Sequence, residues 1–253
     1  MKKFKLTSEF IVDISGVKLF RIKALIEFGN VKAGDLGGYI EKEENLSHMG
    51  DAWVSDDARI SGNAQVFGNA QVSGNAQVSG DAQVFSDAWV FGNARVSGNA
   101  RVSGDARVSG NAQVFGNAQV FGDAWVFGNA RVSGNAQVSG DAQVFGDAQV
   151  FGNARVFGNA RVSGNARVSG DAQVFGDARV SGDKDYAYAH GFGSCNRTTT
   201  FFRLKDGDVG VRCGCFYGTL AQFRDKVCET HGETKKAQEY LMLADLMEIR
   251  FKN

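Results

Sequence analysis

The chain has 253 residues, with 28 Lys plus Arg balanced by 28 Asp plus Glu, so its formal net charge is zero. A balanced charge favours neither nucleic acid nor an anionic membrane surface as a partner. No apolar run approaches the ~20 residues of a membrane span, and the first ten residues lack the apolar core of a signal peptide, so we expect a cytoplasmic protein without membrane contact.

Residues 1–44 predict an N-terminal β cap. Two runs of β-forming residues, 4–13 and 18–28, flank the turn signal Ser15-Gly16 and indicate a hairpin. The segment Asn45–Gly50 then carries Asn, an apolar residue and Gly where later units carry them, so the repeat is predicted to start at residue 45. His48 takes the place of the repeat's valine there, and we expect it to be a packed residue of the cap.

Residues 51–182 consist of 22 consecutive hexapeptides, each reading Asn/Asp-Ala-(Gln/Arg/Trp)-Val-(Ser/Phe)-Gly, with no insertion. Ile60 replaces one valine, and Asp56 and Ser86 replace two glycines. Self-similarity at a short period predicts a solenoid, in which each unit buries its apolar side on the next. Ala and Val are two residues apart and point inward together, while Gly with Asn or Asp makes the corner.

The pattern Val-x-Gly-Asn-Ala-x resembles the hexapeptide repeat of left-handed parallel β-helices. The resemblance implies a three-sided prism with 18 residues per coil, and left-handed winding comes from it alone, because the period also suits a right-handed helix. The predicted fold class is mainly β, with a three-sided parallel β-helix over 45–182. The flanks are similar to those of uncharacterised phage and gut-bacterial hexapeptide proteins, which are often labelled acyltransferases or polymer-forming proteins.

An 18-residue coil places every third hexapeptide on the same face. The tryptophans, 36 residues apart, then share one face. Five of the seven hexapeptides of another face carry Phe at the fifth position, and the corner after that face carries Asp on successive coils. Because soluble monomers seldom expose large apolar patches, this edge predicts a partner-binding surface. Duplication of a 36-residue block would give the same spacing without any function. The predicted partner-binding residues are Trp53, Trp89, Trp125, Phe85, Phe121, Asp87, Asp105, Asp123 and Asp141.

The coils contain no candidate general base. Acyltransferases of the resembled family use a histidine at clefts between prisms of a trimer, but no histidine lies between His48 and His190, and no loop is inserted there. The coils are therefore predicted to be non-catalytic. The alternative is an acyltransferase that uses acyl-coenzyme A at the C-terminal end of the rod, with His190 or His231 as the base.

Residues 183–253 predict a small ββαα module. Residues 183–190 read as a failing repeat copy and 191–196 as a loop, followed by strands at 198–204 and 209–216 around a Lys205–Asp208 turn. A capping box from Thr219 to Gln222 starts one helix, Gly232 ends it, and a second helix covers 233–250. The cysteines of this flank are expected to be reduced thiols; the alternative is a zinc site of Cys213, Cys215, Cys228 and His231.

Together these features predict a non-catalytic structural or protein-binding rod without cofactor, in a homo-oligomer or bound to a host or phage protein. Two alternatives remain open: the acyltransferase described above, and a phage-type inhibitor that presents its acidic edge to a basic host protein.

Overall fold

The computed structural model describes residues 2–193 and 197–252. Residues 51–182 form a three-sided parallel β-solenoid whose longest face has eight strands. An antiparallel sheet extends it at the N-terminus, and a four-stranded sheet with two helices follows at the C-terminus. The predicted fold class is confirmed.

Each hexapeptide contributes one two-residue strand at its third and fourth positions, from β4 (Trp53–Val54) to β25 (Arg179–Val180) in steps of six residues. Every strand pairs in parallel with the strand three later, so that Trp89 lies beside Arg107 and Val90 beside Val108. This register confirms the 18-residue coil.

The interior of the coils is a column of Ala and Val side chains. From Ala52 to Val180 all of these inward positions are at most 1% exposed. The corner glycines have positive φ, and Asp56 (φ 55) and Ser86 (φ 59) take the same conformation where the sequence departs from glycine. Since left-handed backbone is strained for most other residues, it is the corner and not the strand that favours glycine in the repeat.

The N-terminal cap is continuous with one face of the solenoid. Strands β1 (Phe4–Val12) and β2 (Lys18–Ala24) form the predicted antiparallel hairpin. Strand β3 (Leu36–Ile40) pairs antiparallel with β2 and parallel with β5 (Arg59–Ile60). Two glycines let β3 lie close to the first coil, because a Cβ at Gly37 would be 2.5 Å from the carbonyl oxygen of Val54 and a Cβ at Gly38 would be 2.6 Å from that of Ala58.

The repeat frame predicted for 45–50 holds at Gly50, which has φ 69 and lies against Gly68, but it is shifted by two residues at Leu46. Leu46, and not His48, pairs with Val66, and the amide of Ser47 donates to the Val66 carbonyl. The His48 ring instead stacks on Phe4 at 4.4 Å, and its Nε2 lies 2.7 Å from Glu43 Oε1. Hydrogen bonds from Lys2 and His48 hold the pKa of Glu43 below its ordinary value. His48 is therefore a packed residue of the cap, as predicted, but outside the coil register.

The C-terminal module has a four-stranded antiparallel sheet with two more strands than predicted. The strands are β26 (Tyr186–Phe192), β27 (Arg197–Arg203), β28 (Val209–Cys213) and β29 (Phe216–Thr219). The predicted turn at Lys205–Asp208 joins β27 to β28. The prediction that 183–190 is a failing repeat copy is wrong, because β26 pairs antiparallel with β27. Of the predicted loop at 191–196, the first two residues belong to β26, and 194–196 lie outside the described residues.

Two helices follow, α1 (Leu220–His231) and α2 (Lys235–Phe251), with Thr219 and Thr234 as their N-caps. Gly232 caps α1 with φ 55, as predicted. Neither helix is long and apolar enough to cross a bilayer.

Strand β27 lies between the end of the rod and the helices. Phe202 is fully buried in the core of the rod, together with Tyr186. Phe201, its neighbour in sequence, is fully buried in the core formed with α1 and α2. Alternation along this one strand therefore closes the rod on one side and builds the module on the other.

At the N-terminal end, side chains donate hydrogen bonds to carbonyl groups of the first coil. Lys3 is 2% exposed, and its Nζ lies 3.1 Å from the Gly50 oxygen and 2.7 Å from the Ala52 oxygen. Asn45 Nδ2 donates to the oxygens of Gly62 and Ala64. Burial lowers the pKa of Lys3 to about 8, although the nearby carboxylate of Asp51 opposes the shift.

At the C-terminal end, side chains accept hydrogen bonds from amides. Asp183 Oδ1 accepts from the Arg167 N–H at 2.8 Å, and Thr200 Oγ1 accepts from the Gln173 N–H at 2.9 Å. Asp185 accepts from the hydroxyl and the amide of Ser181. Burial alone would raise the pKa of Asp185, but these hydrogen bonds outweigh it and hold that pKa below its ordinary value.

Candidate docking edge

The residues predicted to bind a partner lie along adjacent parts of the prism. Strands β10 (Trp89–Val90) and β16 (Trp125–Val126) lie on one face, two coils apart with Arg107 between them. On another face, Phe85 directly follows β9 (Gln83–Val84) and Phe121 directly follows β15 (Gln119–Val120). We define the docking edge as the members of this set that face solvent in part or in full: Trp89, Trp125, Phe85, Phe121, Asp87, Asp105, Asp123 and Asp141.

Trp53 does not belong to this surface. It is 4% exposed, and the ring of Phe28 meets it edge-on at 5.4 Å between centroids. The prediction that Trp53 binds a partner fails because the cap packs over the first coil. The spacing of 36 residues gave the shared face correctly but carried no information about what covers it.

The other two tryptophans are open to different degrees. Trp89 is 51% exposed, and the guanidinium of Arg107 lies 5.8 Å from its ring. Trp125 is half-buried: its indole N–H donates to Ser109 Oγ at 3.3 Å, and its ring packs on Phe127 at 4.5 Å.

Phe127 stacks on Phe145 at 4.9 Å and so extends the aromatic group around Trp125. Sequence reasoning did not single out these two residues, because their face has few phenylalanines. Their separation of 18 residues, one coil, was the signal that could have found them.

The phenylalanine column is open in its middle and covered at its C-terminal end. Phe67 and Phe85 stack at 4.9 Å with nearly parallel rings, and Phe121 is 36% exposed. Phe175 is met edge-on by Tyr217 at 4.6 Å, and the guanidinium of Arg212 lies 5.3 Å from the same ring. The C-terminal module therefore packs on this column where it reaches it.

The acidic corner differs from the other two corners. Elsewhere Asn side chains one coil apart form runs in which each amide donates to the next oxygen, and each run ends at an Asp, which only accepts. These runs lead from Asn75 through Asn93, Asn111 and Asn129 to Asp147, and from Asn99 through Asn117, Asn135 and Asn153 to Asp171.

At the acidic corner Asn69 donates to Asp87. The three carboxylates that follow, Asp105, Asp123 and Asp141, receive no hydrogen bond from any part of the chain that the structure describes. All four are exposed. Because like charges about 5 Å apart repel one another, this corner favours contact with cationic groups.

The candidates for catalysis and metal binding are placed as follows. His190 is exposed on β26, and its Nδ1 lies 2.9 Å from Thr198 Oγ1. His231 lines a cavity of about 190 Å³ together with Cys213 and Tyr240. Cys215 and Cys228 are exposed free thiols. Among residues 2–193 and 197–252, no three His, Cys, Asp or Glu side chains lie close enough to hold one ion, which argues against the predicted alternative of a zinc site.

Comparison with known families supports the assignment of the coils. The model of a family described as YdcK beta solenoid repeat matches overlapping segments within the coils and leaves both flanks unmatched. The chain is therefore a β-solenoid repeat protein. No curated protein matches it. The matched segments are 58–74, 64–80, 70–86, 88–104, 94–110, 100–116, 124–140, 148–162 and 160–174.

Proposed function

We propose that this protein is a non-catalytic rod of the left-handed hexapeptide type that docks a partner protein, or further copies of itself, through the docking edge. The rod supplies length and rigidity, since every coil repeats the same backbone pairing. The edge supplies recognition, because exposed aromatic rings lie there beside Asp105, Asp123 and Asp141, which accept no hydrogen bond from the described residues.

The observation that carries the proposal is that the chain itself uses these aromatic columns for packing at both ends. At the N-terminus Phe28 covers Trp53. At the C-terminus Tyr217 and Arg212 cover Phe175. Neither flank reaches Trp89 or Phe121, which keep 51% and 36% of their surface exposed. The same kind of surface is thus left open over the middle coils.

Two contacts between an arginine and an aromatic ring within the chain also indicate the chemistry of the partner. Arg212 lies over an aromatic ring, and Arg107 lies near Trp89, as expected for cation–π attraction. The neighbouring Asp105 and Asp123 favour cations as well. We therefore expect a partner surface that presents arginine with an aromatic residue such as tyrosine, and we expect binding to weaken as salt is added.

The repeat supplies substitutions that test this edge without disturbing the fold. Gln replaces Trp at the third position of many hexapeptides and Ser replaces Phe at the fifth, so the combined variant Trp89→Gln, Trp125→Gln, Phe121→Ser keeps a legitimate repeat sequence. Arg95→Gln with Phe115→Ser is the matched control. Both residues lie on the remaining face of the prism, which carries neither the tryptophans nor the phenylalanine column. Light scattering measures self-association, and quantitative capture from the native host at two salt concentrations measures partner binding.

We expect the edge variant to lose association that the wild type and the control variant retain, with added salt weakening the wild-type interaction. Equal association of all three proteins would contradict the proposal. So would a wild-type protein that associates with nothing under either assay.

A further inference from the structure

Helix α2 has two apolar faces, and one of them is uncovered. Its buried face contacts α1 and the sheet through Ala237, Tyr240, Ala244, Met247 and Phe251. On the opposite side of the helix, Met242 is 70% exposed, Leu246 is 55% exposed and Ile249 is 70% exposed. At 100° per residue these three side chains form one stripe. We call it the α2 seam.

The spacing of the seam indicates what covers it. Met242, Leu246 and Ile249 are separated by four and then three residues, the spacing at which one helix packs along another in a coiled coil. Exposed apolar side chains in such a row mark an interaction surface. A partner helix with a matching seam is therefore the occupant that fits. Helix α1 does not offer one, because it exposes no large apolar side chain.

We propose that the α2 seam pairs with the α2 seam of a second copy of this chain. In a parallel, in-register pair, each of the three apolar side chains meets its own counterpart. Asp245 flanks the seam on one side and Arg250 on the other, five residues later. In this pairing Asp245 of each copy faces Arg250 of the other, so two opposite-charge contacts border the apolar row.

The local contacts of these two residues hold them beside the seam. Asp245 is bound by Arg224 of α1, which also contacts Glu248. Arg250 Nη2 donates to the carbonyl oxygens of Asp183 and Tyr186, at 3.2 and 3.4 Å. The guanidinium has further N–H groups that these contacts do not use.

The contact is small. A standard interface buries about 800 Å² on each partner, more than three side chains supply, so we expect a reversible dimer with a micromolar or weaker Kd. A groove of about 640 Å³ beside the seam, lined among others by Tyr188, Leu246 and Arg250, can extend the contact. The seam shares no residue with the docking edge, so this inference does not rest on the proposed function.

Sedimentation velocity of the full chain over a wide concentration range tests the pairing. Met242→Glu with Ile249→Glu places charges in the seam at positions that are exposed in the monomer. We expect this variant to raise the dimer Kd by at least about 100-fold, since charge is costly in an apolar contact. Ala221→Glu with Thr230→Glu is the matched control on exposed positions of α1, and it should dimerise like the wild type. Circular dichroism confirms that each variant is folded.

The charge pairs give a second readout. Asp245→Arg should weaken the dimer, and combining it with Arg250→Asp should restore it, which a merely structural effect would not do. A wild-type chain that stays monomeric throughout would overturn the proposal. So would a dimer that survives the two Glu substitutions, or one that is lost only in the docking-edge variant; the last outcome would support the proposed function while removing this interface.

Discussion

At each end of the rod, backbone groups lack a partner in a neighbouring coil. The N-terminal end pairs them with side-chain donors and the C-terminal end with side-chain acceptors. In the coils, the amides that follow each corner donate to carbonyls one coil later, as from Trp89 to Ala106. The first coil is therefore left with free carbonyls at Gly50 and Ala52, and the last coils are left with free amides at Arg167 and Gln173. The N-terminal end supplies donors through Lys3 and Asn45, and the C-terminal end supplies acceptors.

The direction of the backbone hydrogen bonds between coils therefore determines whether a cap must carry hydrogen-bond donors or acceptors. An unpaired backbone group costs free energy when it is buried, so each flank must carry side chains of the complementary kind. The apolar part of the problem is solved similarly at both ends, by a fully buried phenylalanine, Phe4 in one and Phe202 in the other.

Loss of the buried phenylalanine that closes one end of the rod should have the largest effect on stability. Phe202→Ala removes a fully buried ring of β27 that closes the core of the rod and should destabilise the C-terminal end by about 3–5 kcal/mol. Hydrogen exchange should accelerate in peptides covering 167–182 and remain unchanged near the first coil. Phe192→Ala, at a position 42% exposed, is the control and should have little effect. Equal acceleration at both ends would show that the coils open as one unit.

Exchanging Asn and Asp in a cap side chain should destabilise the N-terminal end more than the C-terminal end. Asn45→Asp replaces a buried donor of two hydrogen bonds with an acceptor facing two carbonyl oxygens, and we expect a loss of about 3 kcal/mol. Asp183→Asn keeps an acceptor oxygen for the Arg167 amide and should cost less than about 1 kcal/mol. Denaturation midpoints of the two variants measure this difference, and similar losses would contradict the polarity argument.

The two ends should respond to pH in different ranges, the N-terminal end in alkali and the C-terminal end in acid, and each end should gain stability as the pH rises through its range. The pKa of Lys3 falls from 10.5 to about 8 on folding. Its buried charge opposes folding in full below pH 8, and this penalty disappears as the pH rises toward 10.5. Since one pKa unit corresponds to about 1.4 kcal/mol, the gain in the free energy of unfolding should be roughly 3 kcal/mol. Comparison of wild type with Lys3→Met across this window measures it; parallel pH curves for the two proteins would refute the assignment.

At the C-terminal end the pKa of Asp185 is lowered from 3.8. Its contribution to stability is present above that value and is lost as the pH falls through the lower, folded-state pKa. Acid should therefore loosen the C-terminal end, and Asp185→Asn should remove that response.

A single acceptor should have a moderate effect. Thr200→Val keeps the shape of a fully buried side chain but leaves the Gln173 amide without its oxygen, which should cost about 1–2 kcal/mol. Exchange of the Gln173 amide itself is the direct measurement. Thr200→Ser retains the hydroxyl and should behave like the wild type, and loss of protection in both variants would point to packing instead.

The smallest effect should come from the middle of the rod, where neither end chemistry applies. Asp123→Asn removes one charge from the acidic corner and provides an amide that can donate toward Asp141. We expect a gain of up to about 0.5 kcal/mol that disappears in high salt. Asn117→Asp, which interrupts an amide run, should be destabilising instead. Thermal midpoints at two salt concentrations test both, and a gain unaffected by salt would exclude the charge explanation.

Local rules in the sequence determined the coils. The alternation of Ala with Val predicts which side chains are buried, the corner favours glycine, and the unbroken period of six, together with the resemblance to hexapeptide β-helices, predicts the 18-residue register. The same local reasoning gave the cap hairpin, the Lys205–Asp208 turn and the capping box of α1, because each depends on residues close in the chain.

Tertiary structure decided what long-range packing controls. Trp53 and Trp89 occupy equivalent repeat positions, yet one is buried under the cap and the other is exposed, because contact with Phe28 depends on where the flank folds. The shift at Leu46, the pairing of β26 with β27, and the burial of Lys3 and Phe202 also arise between residues far apart in sequence. The repeat sequence determines the packing inside the coils, because every unit contacts neighbours of the same sequence. The end coils instead contact the flanks, which only the folded chain brings next to them.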